Sequence, residues 1–321
     1  MKVGITLPQI GQQATKENVI HMAREAEKEG FDSVWTFDRM LWPLNPQTPY
    51  RGTSDGRLPV DMQNVFDPIG LLTFVAANTN KIALGTSVID MLFHTPVILG
   101  RRFATLDVLS EGRVICGLGI GWSEDEYQAS NIPFNKRGKR ADEFVQVLKK
   151  IWTDDDDVVE FKGEFYSIPS SKIGPKPIQK PHIPIYLGGY DPKAFSRIIN
   201  YDANGWLASM SGGRSLQDLE NSISELKDRA TKANRNPNDF RIIILTYPGR
   251  EFNQSDSKSS NSSSSTRLSF TGTIDEIGND IQRIKELGIV DHIIFSYNFS
   301  AGAGNIDKMI DITKQFSKFA R

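Results

Sequence analysis

Along this chain, short continuous apolar runs alternate with longer stretches in which apolar residues recur at helical spacing. Residues 3–7, VGITL, form the first run and end at Pro8, which predicts a strand. From residue 16 to 29, Val19, Met22, Ala23 and Ala26 share one helix face, with Thr15 placed as cap and Gly30 as stop. Seven more rounds follow. The strands fall at 33–37, 82–89, 114–119, 185–187, 205–208, 242–245 and 292–295. The helices fall at 68–79, 96–109, 139–152, from Pro192, at 215–234, from Thr273 to Leu287 and at 306–319. Strands that alternate with helices pair in parallel, and eight such units predict closure into a (β/α)8 barrel, the TIM barrel of the α/β class.

Four stretches interrupt the alternation. Residues 39–66 make a long loop rich in Pro, Gly and polar residues, carrying Trp42, Tyr50, Arg51 and Arg57. A loop of that length is expected to be functional, and a lid is the role assigned to it. Residues 158–168, VVEFKGEFYSI, read as a hairpin turning at Lys162-Gly163. Four prolines between Pro175 and Pro184 make an ordered, non-helical connector. The serine-rich run 253–266 has too little apolar content to pack and is expected to be mobile. No break in composition divides the chain, so one domain of residues 1–321 carrying these insertions is expected.

Residues 113–127, RVICGLGIGWSEDEY, organise the rest. A buried strand ends in Gly117, Gly119 and Gly121, and a backbone without Cβ atoms lets a large planar or phosphorylated ligand come close. Turn punctuation is the plain alternative. A dinucleotide fingerprint is excluded: the third glycine comes a residue too early, and no helix opens at Gly121. The acidic run Glu124, Asp125, Glu126 reads as a polar exit from the strand.

Composition narrows the partners. Lys+Arg at 38 against Asp+Glu at 39 leaves a net charge of −1, and no basic arm is present, so neither nucleic acid nor an anionic membrane is an expected partner. The single cysteine, Cys116, lies inside the buried strand and fits a reducing compartment. The first ten residues read as a strand and not as a signal peptide, and no apolar run approaches the roughly 20 residues of a membrane helix. A cytoplasmic protein is expected.

In a barrel of this kind chemistry gathers at the carboxyl ends of the strands. Those ends carry Pro8, Gln9, Asp38, Ser87, Val88, the 119–122 glycine stretch with Trp122, Gly188, Gly189, Ser209, Thr246 and Ser296. This set is poor in nucleophile–base pairs, and neither an HExxH or Cys/His cluster of metal-ligand spacing nor a GxSxG elbow is present. Glycines, aromatics and hydroxyls with few acids and bases imply that a cofactor carries the reaction. His94 reads equally as a helix-entry residue and as a functional group, whereas His21, His182 and His292 read as structural. Arg137 and Arg140, at the start of the fourth helix, form either a solvated face or a phosphate site.

GFDSVW followed by Asp38, KIALGTSV, TPVILGRRFATLDVLSEGRV, GLGIGW, PFNKRGKRADEF and PIYLGG together resemble the luciferase-like monooxygenase superfamily. The likeness is strongest to its branch of coenzyme F420-dependent oxidoreductases. The resemblance implies a flavin or deazaflavin at the strand carboxyl ends. Ser87-Val88 matches a bulge, frequently with a cis peptide, that supports the middle of the ring. Asp38 matches an acid near the reacting edge, Gly119, Gly121 and Trp122 match one wall, and Leu187, Gly188 and Gly189 match the side near the cofactor tail. Arg140 is placed with the cofactor-binding set; Asp38 would position the ring or substrate, and His94 is the acid/base candidate. Deazaflavin relatives carry Asp-His after strand two, whereas Arg39 follows Asp38 here, which leaves the histidine's role open to another residue such as His94. The expected reaction is hydride transfer between F420 and a small organic substrate. The alternatives are an FMN-dependent monooxygenase fed by a partner flavin reductase and a non-catalytic flavin-binding protein. Relatives are commonly dimers, so a homodimer is expected.

Overall fold

A computed structural model describes residues 1–50, 52, 53, 55–153, 158–248, 267–299 and 304–320. Arg51 and the serine-rich run 253–266 lie outside the described residues. The strands are β1 (Lys2–Thr6), β2 (Ser33–Thr36), β3 (Ala83–Thr86), β4 (Ile89–Asp90), β5 (Val114–Gly119), β6 (Val158–Lys162), β7 (Ser167–Lys172), β8 (Ile185–Gly188), β9 (Gly205–Ser209), β10 (Arg241–Thr246) and β11 (Val290–Phe295). The helices are α1 (Lys16–Lys28), α2 (Pro68–Ala76), α3 (Pro96–Leu109), α4 (Glu124–Ala129), α5 (Arg137–Thr153), α6 (Pro192–Asn200), α7 (Leu216–Lys232), α8 (Ile274–Glu286) and α9 (Ile306–Phe316). All but β6 and β7 join one parallel sheet in the order β3-β2-β1-β11-β10-β9-β8-β5-β4, and β3 pairs with β5 to close it. The ring has eight staves, the third being β3 continued by β4, so the fold is the expected (β/α)8 barrel.

Capping works as the sequence implies. Thr15 accepts from the Asn18 N–H, and Thr273 with Glu276 forms a reciprocal capping box on α8. The hairpin is present but longer than expected. β6 and β7 pair antiparallel out to Val158 and Lys172, and the Gly163 N–H closes the turn on the Tyr166 carbonyl at 2.9 Å. The acidic run opens a six-residue helix, α4, that the apolar pattern did not announce.

Alternation along each stave sorts the core into two layers. Outward residues, among them Val34, Leu84, Cys116, Leu118 and Trp206, join the helices in one large apolar layer. Inward residues Trp35, Tyr186, Leu207, Ile243, Leu245 and Ile294 fill the barrel, with Val88, Ile115 and Tyr247 packed on them. Trp35 fits because glycines face it. A Cβ on Gly85 would come within 2.3 Å of its ring, and one on Gly4 within 2.6 Å of Nε1. At the amino end, Trp35 Nε1 donates to Ser33 Oγ, which meets His292 Nε2 at 2.7 Å. Burial, with Lys2 and the amino terminus nearby, pushes the His292 pKa down to about 3, so this ring is a neutral, structural group.

Between β3 and β4 the third stave breaks at Ser87-Val88, whose peptide bond is cis. Thr86 seals the break: its Oγ1 donates to the Gly117 carbonyl (2.8 Å) and accepts from the Gly117 N–H (3.0 Å). A Cβ on Gly117 would lie 1.9 Å from the Thr86 carbonyl oxygen. Gly117→Ala is therefore expected to cost about 3 kcal/mol or more, since backbone must move. Gly278→Ala, in α8 with its nearest outside atom at 3.4 Å, is expected to gain roughly 0.5 kcal/mol. Urea denaturation of both variants checks the contrast.

Candidate active site

The exit of β2 is laid directly on the broken stave. The Ser87 N–H donates to the Thr36 carbonyl at 2.7 Å, and the Asp38 N–H donates to the Val88 carbonyl at 3.0 Å. Buried Gln9 clamps the same exit. Its Oε1 accepts from the Phe37 N–H, and its Nε2 donates to the carbonyls of Phe37 and Phe66, tying the start of the long loop to its end. Asp38 is thus fixed by backbone bonds to the bulge that Val88 presents to the barrel mouth.

His94 arrives from the far side of that bulge. A short 3-10 turn, Met91–Phe93, precedes it, and Thr95 caps α3 immediately after it. The ring is held where Nε2 lies 3.8 Å from Asp38 Oδ2, with 22% of the side chain exposed. The same Oδ2 accepts from the Asp90 N–H at 3.4 Å. Sequence reasoning offered Asp38 and His94 separately, and the structure brings them together.

Arg39 does not face this pair. Its Nη1 meets Glu126 Oε2 at 2.5 Å, with both side chains buried, and its guanidinium lies 4.9 Å from the Trp122 ring centre. Glu126 Oε1 also accepts from the N–H groups of Met40 and Leu41. Asp125 accepts from the Gln47 N–H, the Glu124 N–H donates to Thr48, and Tyr50 packs on Trp122 at 5.7 Å. The acidic run expected as a polar exit from the strand is the anchor of the 39–66 loop. Sequence reasoning missed it because its partners lie 76–87 residues away.

Asp90 was also missed. Buried two residues beyond Val88, its carboxyl is pushed up to about 7, chiefly by burial and further by Asp38 and Glu126, against the pull of Arg39. A β-strand pattern gives no sign of such a group.

A Cβ on Gly119 would meet Val88 Cγ2 at 2.6 Å and Asp90 Oδ1 at 3.0 Å, and one on Gly121 would meet Phe93 at 2.8 Å. These glycines make room for protein atoms behind the wall, and Gly121 also has φ +73°. Leu187 lies in the outer apolar layer, so its side chain does not reach the mouth. Gly188 does face Val88: a Cβ there would stand 3.5 Å from Cγ1. Gly189, at φ +113°, accepts from Trp206 Nε1 through its carbonyl. Arg140 lies over the Phe165 ring at 4.6 Å and Arg137 over Phe134 at 3.9 Å, so both guanidiniums rest on aromatic faces.

Among the described residues, buried polar atoms without a hydrogen-bond partner near the strand carboxyl ends include Ser87 Oγ, on the bulge, Arg39 Nε, beyond β2, and Asn298 Nδ2, beyond β11. Unpaired buried donors are costly and call for a ligand or water. With Val88 as an apolar floor, they suit a flat heterocycle carrying carbonyl oxygens and ring nitrogens. Among the described residues no group of His, Cys, Asp or Glu is placed to hold a metal ion, and no helix is long and apolar enough to cross a membrane.

Glu126→Gln keeps an acceptor for the Met40 and Leu41 amides but leaves Arg39 facing a neutral group. A loss of about 3 kcal/mol is expected, as for an orphaned buried charge, with faster proteolysis of the 39–66 loop. Breaking the exposed Lys136–Glu164 pair by Lys136→Ala should change stability by less than about 0.5 kcal/mol. Thermal unfolding of the two variants tests this.

The comparisons agree with the geometry. A family model for luciferase-like monooxygenases matches residues 1–248. An uncharacterized protein of Mycobacterium tuberculosis is 32% identical over 234 residues, 72% of this chain and 77% of its own. An F420-dependent glucose-6-phosphate dehydrogenase of Amycolatopsis mediterranei is 28% identical over 249 residues, covering 74% of this chain and 69% of that protein. Among solved structures, the monooxygenase RslO1 of Streptomyces bottropensis shares the fold at TM-score 0.76 and 20% identity, with 99% and 98% of the two chains covered. An F420-dependent secondary alcohol dehydrogenase, solved with an F420-acetone adduct, does so at 0.75 and 18% identity, with 100% and 99% covered. These relatives support a deazaflavin or flavin cofactor. This chain belongs to the luciferase-like monooxygenase family.

Proposed function

We propose that the chain is an oxidoreductase that binds coenzyme F420 at the barrel mouth and transfers hydride between it and a small organic substrate. The observation that carries this reading is the meeting of Asp38 and His94 beside Val88 at the broken stave. Relatives named as F420-dependent dehydrogenases support the deazaflavin over FMN. When bound, the cofactor supplies a two-electron carrier that gives or takes a hydride.

The chain's own residues do the rest. Val88 backs the ring, while Ser87 Oγ and Asn298 Nδ2 offer hydrogen bonds to its polar edge. Asp38 stands beside the imidazole, and His94 delivers or accepts the proton at the substrate oxygen as a general acid/base. The 39–66 loop, pinned by Glu126, closes over the mouth and keeps water from the reacting atoms.

Fluorescence titration of the purified protein with F420 and with FMN, side by side, tests the cofactor. Tight binding of F420 with no oxygen uptake in the presence of reduced cofactor is expected. Preference for FMN with oxygen consumption would instead make the chain a monooxygenase. With a substrate in hand, Asp38→Asn and His94→Ala are each expected to lower kcat by roughly 100-fold or more while F420 still binds. Unchanged turnover in Asp38→Asn would remove its role.

A further inference from the structure

Across the mouth from Asp38, the exits of β8, β9 and β10 carry a polar cluster that the reaction just described does not use. In the ring of staves β9 stands four places from β2, the far side of an eight-membered ring. Leu207 and Leu245 lie in the inner layer, so alternation turns Ser209 and Tyr247, two residues on, toward the mouth. Tyr247 OH and Ser209 Oγ meet at 3.1 Å, and Ser209 Oγ donates to Ser211 Oγ at 3.0 Å. Arg214 Nη1 donates to the Ser211 carbonyl at 2.6 Å, and its guanidinium lies 4.0 Å from the Tyr190 ring centre. Tyr190 OH in turn donates to the Ser209 carbonyl at 2.9 Å. These side chains form one contiguous set.

The charge of Arg214 is not spent within the protein. Among the described residues it forms no ion pair, whereas Arg39, Arg197 and Arg235 each grip a carboxylate. The acid that acts on it is Asp218 of α7, whose Oδ2 already accepts from the Ser215 N–H and the Ser215 hydroxyl. The approach to Arg214 is open: a Cβ on Gly213 would touch nothing within 4 Å, and one on Gly212 only Arg214 Nη1, at 3.8 Å. A guanidinium lying over an aromatic ring keeps its N–H edge for hydrogen bonds, and that edge matches the two oxygens of a carboxylate. One cation with Asp218 nearby balances a single negative charge, so a carboxylate fits better than a doubly charged phosphate.

We propose that Arg214, with the Ser211 hydroxyl beside it and the Tyr190 ring beneath it, is a carboxylate-binding subsite, and that the substrate is a small alcohol or ketone carrying a carboxylate. The carboxylate is held on the β9 side of the mouth, and the reacting carbon faces Asp38 and His94 on the other. That placement of the reacting carbon rests on the oxidoreductase reading; the subsite itself does not.

Levulinate, a keto acid, and its uncharged methyl ester are the probes, with binding to the cofactor-free protein read by saturation-transfer NMR at about pH 8. The wild type should bind the acid roughly tenfold tighter than the ester or better. Arg214→Gln should bring the two within about twofold, and Arg214→Lys, which keeps the charge but loses the fork, should restore part of the preference. Inorganic phosphate, doubly charged at this pH, should displace levulinate less well than acetate at equal concentration. F420 affinity should change by less than about twofold in Arg214→Gln. Equal binding of acid and ester by the wild type, a preference that survives in Arg214→Gln, or stronger displacement by phosphate than by acetate would overturn the proposal. A fall of roughly tenfold or more in F420 affinity would give Arg214 to the cofactor and overturn it too. The wild-type comparison stands even if Arg214→Gln does not fold. The levulinate, acetate and phosphate readouts need no F420, so their failure is separate from failure of the cofactor reading.

Discussion

A parallel barrel has no free edge, so a stave that breaks halfway must be sealed by something other than the regular ladder. Here the seal is Thr86 against Gly117: one hydroxyl bonds both the carbonyl and the N–H of a residue with no side chain to obstruct it. From that seal the site follows. The break exposes the Val88 carbonyl to the Asp38 N–H and the Thr36 carbonyl to the Ser87 N–H, stitching the exit of β2 to the bulge. Beyond the break, β4 itself carries Asp90 and turns at once into the segment that brings in His94. Three polar side chains from two staves thereby converge beside one apolar floor.

Around this point the barrel interior is built from one large residue and several absent ones. Trp35 fills the space that Gly4 and Gly85 vacate, and the layer it heads carries Val88 and Tyr247 at its upper surface. The mouth has a rigid base for that reason. The 39–66 loop is held by a different force, the buried Arg39–Glu126 pair. A guanidinium and carboxylate taken out of water are stable only with well-formed bonds. Glu126 meets that demand by gripping two backbone amides of the loop as well. Arg39, the residue after Asp38, thus fastens the loop and leaves Asp38 to face His94.

The fold was legible because each strand and helix announces itself locally. β-branched runs, Thr15, Thr273 with Glu276, and the prolines opening α2, α3 and α6 are short-range signals, and the structure honours them. Asp38 was legible as the acid at a strand end. His94 was visible as a candidate, but its meeting with Asp38 depends on a break in β3–β4 that composition does not encode. Asp90 and Glu126 were not legible, since a carboxylate in a strand or an acidic triplet looks solvated until partners far along the chain surround it. Strand alternation sends the Leu187 side chain to the helix layer, a direction the resemblance alone did not give.

The most direct measurement is a crystal structure of the chain with F420. Ring density seated against Val88, with its polar edge toward Ser87 Oγ and its reacting edge beside Asp38 and His94, is the expected result. Density for the ring anywhere else, such as the cleft between α5 and the hairpin lined by Lys139, Glu143 and Phe165, would contradict the assignment of the broken stave as the cofactor site.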